Sequence, residues 1–241
     1  MDFVEVYNNS QKAINIKNWF LANLDTNGEL NLRQITADDL VINPMEYLVF
    51  TTEPVILKAD YPSGNEDVFI PMASFPSYPN DEGSAILLND LEEIMDQFDY
   101  NEDLHFILLD DVDGVSLERI SFDSDTNDPN NWKSAASTAG FATPGLRNSQ
   151  FKTQSSVTGV IEVDPKVFVP DNTGVNDFTT INFDLQNVGS FANVSVYDQR
   201  GRLVKTLSEG DLLSTSGFFT WDGTDNSGRR ASYGYLSLIH I

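Results

Sequence analysis

Apolar side chains recur at every second position, in short runs, along almost the whole chain. In the first half the runs are Phe3–Tyr7, Trp19–Ala22, Tyr47–Thr52, Ser84–Leu88, Ile94–Tyr100, His105–Leu109 and Leu117–Phe122. A period of two places successive side chains on opposite faces of a strand. Val4 and Val6 thus face one way, and Phe3, Glu5 and Tyr7 the other. Leu91–Met95 has a spacing that would also suit the start of a helix. The alternation of Ile94, Asp96, Phe98 and Tyr100 and the aromatics favour a strand there. Asn27-Gly28, Ser63-Gly64-Asn65, Pro79-Asn80-Asp81 and Asp113-Gly114 supply the turns between runs. Many short strands with this punctuation predict an all-β sandwich or barrel.

The pattern breaks at Ser149–Ser156, which is polar and aperiodic and follows Thr143-Pro144-Gly145. It then resumes: Ile181, Phe183 and Leu185 alternate with Asn182 and Asp184, Val194 and Val196 flank Ser195, Phe219 and Trp221 flank Thr220, and Leu236 and Leu238 flank Ser237. Gly201 falls in a hairpin-like turn that demands positive φ. Seven strands in roughly 80 residues suit an immunoglobulin-like sandwich. The expected organisation is all-β, two immunoglobulin-like β-sandwich domains in tandem: residues 1–150, a linker at 151–159, and residues 160–241.

Charge sharpens this division. Residues 1–150 hold 27 acidic and 7 basic side chains, a net −20, whereas 151–241 hold 10 and 7, a net −3. The total of −23 argues against nucleic acid, whose binding begins with basic patches, and against attraction to an anionic membrane. No apolar run approaches the ~20 residues of a membrane helix. The chain has no cysteine, so disulfides, a thiol nucleophile and cysteine-bound metal do not arise. The start, Met1-Asp2-Phe3-Val4-Glu5, lacks the features of a signal peptide. It reads as the middle of a strand, and the chain as a fragment of something longer.

Candidate chemistry is sparse. The two histidines, His105 and His240, sit in apolar runs, and there is no nucleophile elbow to serve a triad. Calcium needs six to eight oxygens, and the acidic loops offer them at Asp110, Asp111 and Asp113, at Asp123 and Asp125, and at Asp171 and Asp177. Asp123-x-Asp125-x-Asn127 begins like an EF-hand loop, but Asp128 stands where glycine is required and Ser134 where glutamate is required. The simpler expectation is that these carboxylates line turns and cap backbone amides. Trp19, Trp132 and Trp221 are expected in cores, and Arg119 on a local carboxylate or carbonyl.

The motifs Pro170-Asp171, Gly174-Val175-Asn176-Asp177, Val194–Val204, Trp221-Asp222-Gly223-Thr224-Asp225-Asn226-Ser227-Gly228 and Tyr233-Gly234-Tyr235 occur in an order that resembles the FlgD-type immunoglobulin-like domain. Asn172-Thr173 depart from that family's acidic loop. Residues 1–150 are similar to the bacterial lamin-tail domain. The segments that carry this resemblance are Asp2–Ser10, Ile14–Leu21, Glu46–Phe50, Ser116–Ile120, Asp128–Trp132 and Ala142–Gly145, with longer insertions near 23–45 and 53–70. Together the two resemble modules of secreted Bacteroidetes proteins.

These resemblances imply non-catalytic structural or interaction modules, acting as spacer, scaffold or anchor in a larger exported protein. They imply no catalytic residue and no cofactor, and an extracellular or cell-surface location. The expected partners are other domains of the same protein or cell-surface proteins. A carbohydrate- or calcium-dependent binding module and an accessory part of a secreted hydrolase are the alternatives. The lamin-tail resemblance further implies a strand before Asp2. Without it, the Phe3–Tyr7 edge is expected to pair with a second copy or with the linker around Phe151–Val157.

Overall fold

In the computed structural model, residues 2–152, 161–185, 190–234 and 236–240 are described, the last five by backbone alone. By internal contact the chain divides into Met1–His105 with Asp113–Phe151, and Phe106–Val112 with Lys152–Ile241. A single cut near residue 150 does not anticipate the grouping of Phe106–Val112 with the second unit. Most of the expected linker falls at residues 153–160, outside the described residues.

The first unit is built around a strand buried on both faces. Strands β1 (Val4–Tyr7), β2 (Ile14–Asn15), β3 (Phe20–Leu24), β4 (Leu30–Gln34), β5 (Val41–Ile42) and β6 (Tyr47–Thr51) precede helix α1 (Pro54–Asp60) and strand β7 (Phe69–Pro71). β6 lies between β1 and β7, with Val4 opposite Phe50 and Val6 opposite Leu48. Leu48 and Phe50 join Ile16, Leu21, Ile35 and Ile42 in one core, against which Val4 and Val6 pack. On the other face Val49 packs with Leu57, Tyr61, Phe69 and Ala142, joined by Phe3. Such a strand reads as a continuous apolar run rather than an alternating one.

Helix α1 is a feature the sequence pattern did not reveal. β6 and β7 are parallel, and parallel neighbours need a crossover, usually a helix. Pro54 opens α1 at its first turn, where its missing N–H costs nothing, and Leu57 alone is buried. A helix that hides one side chain leaves no apolar stripe in the sequence.

Strands β8 (Glu82–Leu88) and β9 (Ile94–Asn101) complete a four-stranded sheet in the order β4-β3-β8-β9. β9 is a strand, as its alternation predicts. The pair β10 (Leu117–Arg119) and β11 (Trp132–Ser134) follows. His105–Leu109 corrects the sequence reading: it is not a strand. Asn101 turns its side chain onto the Asp103 N–H and caps a 3-10 turn over Glu102–Leu104. The chain therefore leaves the ladder just before His105.

Among the described residues the second unit is a sandwich of two three-stranded sheets. Strands β12 (Ile161–Asp164), β13 (Thr179–Asp184), β14 (Phe191–Asp198), β15 (Leu203–Leu212), β16 (Ser216–Trp221) and β17 (Leu236–His240) pair as β12-β13-β16 and β15-β14-β17. Ile181 and Phe183 of β13, Ala192, Val194 and Val196 of β14, and Phe219 and Trp221 of β16 form its core. Trp221 is 5% exposed, its indole N–H donates to the Thr224 carbonyl at 2.9 Å, and its ring meets Phe168 edge-on.

One turn recurs in both units. In Asp25–Glu29, Asp198–Arg202 and Asp225–Arg229, the aspartate Oδ1 accepts from the N–H groups two and four residues on. The glycine at the fourth position donates back to the aspartate carbonyl and has φ of +80, +74 and +75 respectively. This is the three-residue hairpin loop that needs a left-handed residue. Asn89–Glu93 forms the same turn with Glu92 at φ +61 in the glycine position.

Candidate functional site

The most unusual chemistry lies in the first unit, where alternation carries a glutamate inward. Within Val4-Glu5-Val6, the valines take the core face, so Glu5 points to the opposite one with Phe3 and Tyr7. There its Oε2 accepts from the Gly145 N–H at 2.6 Å. Glu118, on β10, is 4% exposed. Its Oε2 accepts from the Ser149 N–H at 2.7 Å and the Ser149 hydroxyl at 2.6 Å, and its Oε1 accepts from the Thr143 hydroxyl. Two carboxyls from distant parts of the chain thus hold the same loop, Thr143–Ser149, from two directions.

The loop is itself fixed. Pro144 is fully buried, and its carbonyl accepts from the Asn65 N–H at 2.9 Å. Gly145 has φ +76, and a Cβ there would lie 2.6 Å from Val68 Cγ2 and 2.8 Å from the Asn65 carbonyl. Only glycine satisfies both the dihedral and the space.

The electrostatics of the pair are lopsided. Glu5 as a whole keeps some exposed surface, but its carboxyl is enclosed. Burial pushes it up to about 8, with the Glu118 charge adding to the shift and the Gly145 N–H opposing it. Desolvation penalises the charged form of an acid, and a like charge does the same. Tyr47, beside both carboxyls, is likewise shifted upward, first by burial and then by Glu5. Glu118 has three donors on its oxygens, two from Ser149 and one from Thr143.

The acidic-loop candidates are placed quite differently. Asp123 and Asp125 lie on the surface of a loop whose carbonyls turn inward. The Ser121 and Ser124 carbonyls accept from the Arg119 guanidinium. Those of Ser121 and Asp125 accept from the fully buried Asn131 amide, at 3.0 and 3.2 Å. That of Thr126 accepts from the Trp132 indole N–H at 2.7 Å. Asp125 caps the Asn127 N–H, and Asp123 accepts from the Asn9 side chain. Arg119 also pairs with Asp96 at 3.6 Å.

In the second unit Asp177 is buried and accepts from the N–H groups of Thr173 and Gly174, while exposed Asp171 accepts from the Thr173 hydroxyl. Asp110, Asp111 and Asp113 are exposed. Among the described residues no group of three or more His, Asp or Glu side chains is arranged to hold a metal ion.

His105 Nδ1 lies 3.0 Å from the Ser134 hydroxyl, a contact that formally pairs a base with a nucleophile. Ser134 is 0% exposed, so no substrate carbonyl could reach it without unfolding β11. Burial lowers the His105 pKa, and the pair is an internal hydrogen bond. His240 lies on β17 opposite Val194. Trp132 stacks on Phe98 with centroids 3.6 Å apart, and Trp19 packs against the main core. All three tryptophans are used in packing.

The carboxyl pair was the feature that sequence reasoning missed. Its one local signal is a glutamate inside an apolar alternating run, Val4-Glu5-Val6 and again Leu117-Glu118-Arg119-Ile120. No curated protein matches the chain. Residues 171–238 match the family model of the FlgD Ig-like domain, and over that stretch the second unit is similar to an immunoglobulin-like, non-catalytic module.

Proposed function

We propose that the chain is a pair of non-catalytic modules serving as spacer, scaffold or anchor in a larger exported protein of the Bacteroidetes type, with a lamin-tail-like unit followed by a FlgD-like one. The observation that carries this reading is where the motif residues go. In the FlgD-like stretch, Trp221 fills the core, and Asp171, Asp177, Asp198, Asp222 and Asp225 accept hydrogen bonds from their own loops. In the first unit the residues behind the lamin-tail resemblance, Glu5, Glu118 and Thr143-Pro144-Gly145, hold one another. The partners on this reading are neighbouring domains or cell-surface proteins, the location is extracellular, and neither calcium nor another cofactor is required.

The test is a hydrolysis panel on the purified chain, using nitrophenyl glycosides, esters, phosphoesters and a protein substrate, together with melting in calcium and in sodium at equal ionic strength. The expected result is no turnover above buffer and equal melting temperatures. Turnover that survives repurification and is lost in Glu118→Gln would refute the reading. So would a calcium-specific rise above about 10 °C, which by linkage requires a true site.

A further inference from the structure

Among the described residues, Glu5 is the one buried carboxyl on an outer strand whose partner is a loop more than a hundred residues away. Among the described residues β1 pairs with β6, at the rim of its sheet. The Asn8 N–H donates to the Glu46 carbonyl and the Met45 N–H to the Asn8 carbonyl. Even-numbered residues of β1 thus direct their backbone to β6, and odd-numbered residues direct theirs outward. What ties the outward side to the rest of the unit is side-chain work: Glu5 on Gly145, Tyr7 stacked on Phe122 at 4.1 Å, and Phe3 against Tyr61.

We propose that Glu5, Glu118 and the Thr143–Ser149 loop form a proton-operated latch on the β1 edge, closed while the pair carries one charge and loosened when it carries two. The geometry supplies the reason. Glu118 has its oxygens filled by Thr143 and Ser149, whereas Glu5 receives a single N–H. A second negative charge in the enclosure therefore falls on the carboxyl with the poorer solvation. The groups facing Glu5 are Glu118 from β10, Tyr47 from β6, Tyr7 from β1 itself and, through Tyr47, Arg147 of the loop. Arg147 is exposed and lies over the Phe151 ring.

The sign follows from linkage. A carboxyl raised in the folded state contributes stability that is complete below its unfolded value, near 4.5, and is lost as pH rises toward about 8. The turn aspartates behave oppositely. Asp25 and Asp198 are lowered, and Asp225 is pulled down to about 2, chiefly by hydrogen bonds in their turns. Their contribution is present above the unfolded aspartate value and is lost only as pH falls through the lower folded value. The two effects occupy separate pH windows.

The latch is tested by urea midpoints of the intact chain and of Glu5→Gln between pH 5 and 9 at constant ionic strength. Gln keeps an acceptor for Gly145 but cannot ionise. The expected result is a midpoint that falls between pH 5 and 8 in the wild type, with at least half of that fall removed in Glu5→Gln. Hydrogen exchange of the wild type reads the opening directly and serves even if the variant fails to fold. Peptides covering residues 143–149 should lose protection with pH more steeply than peptides from β13. An equal pH dependence in the two chains, or parallel exchange of the two peptides, would overturn the latch.

Discussion

Gly145 and Gly201 have nearly the same backbone, φ +76 and +74, yet they answer to different causes. Around Gly201 a Cβ would meet nothing within 4 Å. Its conformation is set by its own pentapeptide, through Asp198 Oδ1 and the ladder bond closing the turn. Gly145 lies in a loop pressed between Glu5, 140 residues earlier, and the Asn65–Val68 turn. One glycine obeys a local rule, and the other records how the tertiary structure closes. The second unit is dominated by the first kind of determinant: motifs whose donors and acceptors lie within four residues. The first unit depends on the second kind, with Glu118 reaching Thr143 and Ser149, and Asn8 reaching Ile42.

This contrast can be broken most forcefully at Trp221, which is both a motif residue and the centre of a core. Trp221→Ala is expected to cost about 3–5 kcal/mol, as for other deletions of large core side chains. Urea denaturation followed by circular dichroism should show the second unit unfolding early while Trp19 and Trp132 fluorescence reports an unchanged first unit. Simultaneous loss of both would mean that the two are not independent in stability.

The glycine pair gives an intermediate effect. Gly201→Ala should cost about 1 kcal/mol, the strain of a left-handed alanine. Gly145→Ala adds overpacking against Val68 and Asn65 and should cost about 2–4 kcal/mol. Equal midpoint shifts for the two substitutions would show that the Gly145 contacts relax freely and that the loop is not pinned.

The smallest effect should be a gain. Glu92 occupies the left-handed position that glycine takes in the three sibling turns, and its side chain is exposed. Glu92→Gly is expected to stabilise the first unit by about 0.5–1 kcal/mol, because the strain removed is offset in part by glycine's greater unfolded entropy. A lowered thermal midpoint would mean that the Asn89–Glu93 turn is governed by something beyond its own hydrogen bonds.

Seen through these residues, legibility follows range. The strands β1, β6, β8 and β9, the buried Trp221, the positive φ at Gly201, the capping role of Asp177 and the local bonding of Arg119 all followed from spacing within a few residues. Helix α1 did not, because a seven-residue crossover burying only Leu57 leaves no periodic trace. β4 and β5 lay within the stretch near 23–45 read as an insertion, β7 at the end of the one near 53–70, and the two-residue β2 was too short to show an alternation. His105–Leu109 looked like a strand because apolar alternation does not register that Asn101 has already capped the chain into a turn.

The amino-acid sequence by itself determined that this chain is built of short strands, where its commonest turns fall, and that residues 160–241 resemble an Ig-like module, of which 171–238 match the family model. Side-chain period and turn chemistry act within a single strand or loop, so they can be read locally. Only the tertiary structure decided that Glu5 and Glu118 clasp one loop, that the carbonyls of Ser121, Ser124, Asp125 and Thr126 turn to Arg119, Asn131 and Trp132, and that Phe106–Val112 groups with the second unit. Each of these depends on which distant groups are brought within hydrogen-bond or packing distance. That is settled when buried polar atoms must all find partners at once, a condition imposed on the whole fold and not on any one segment.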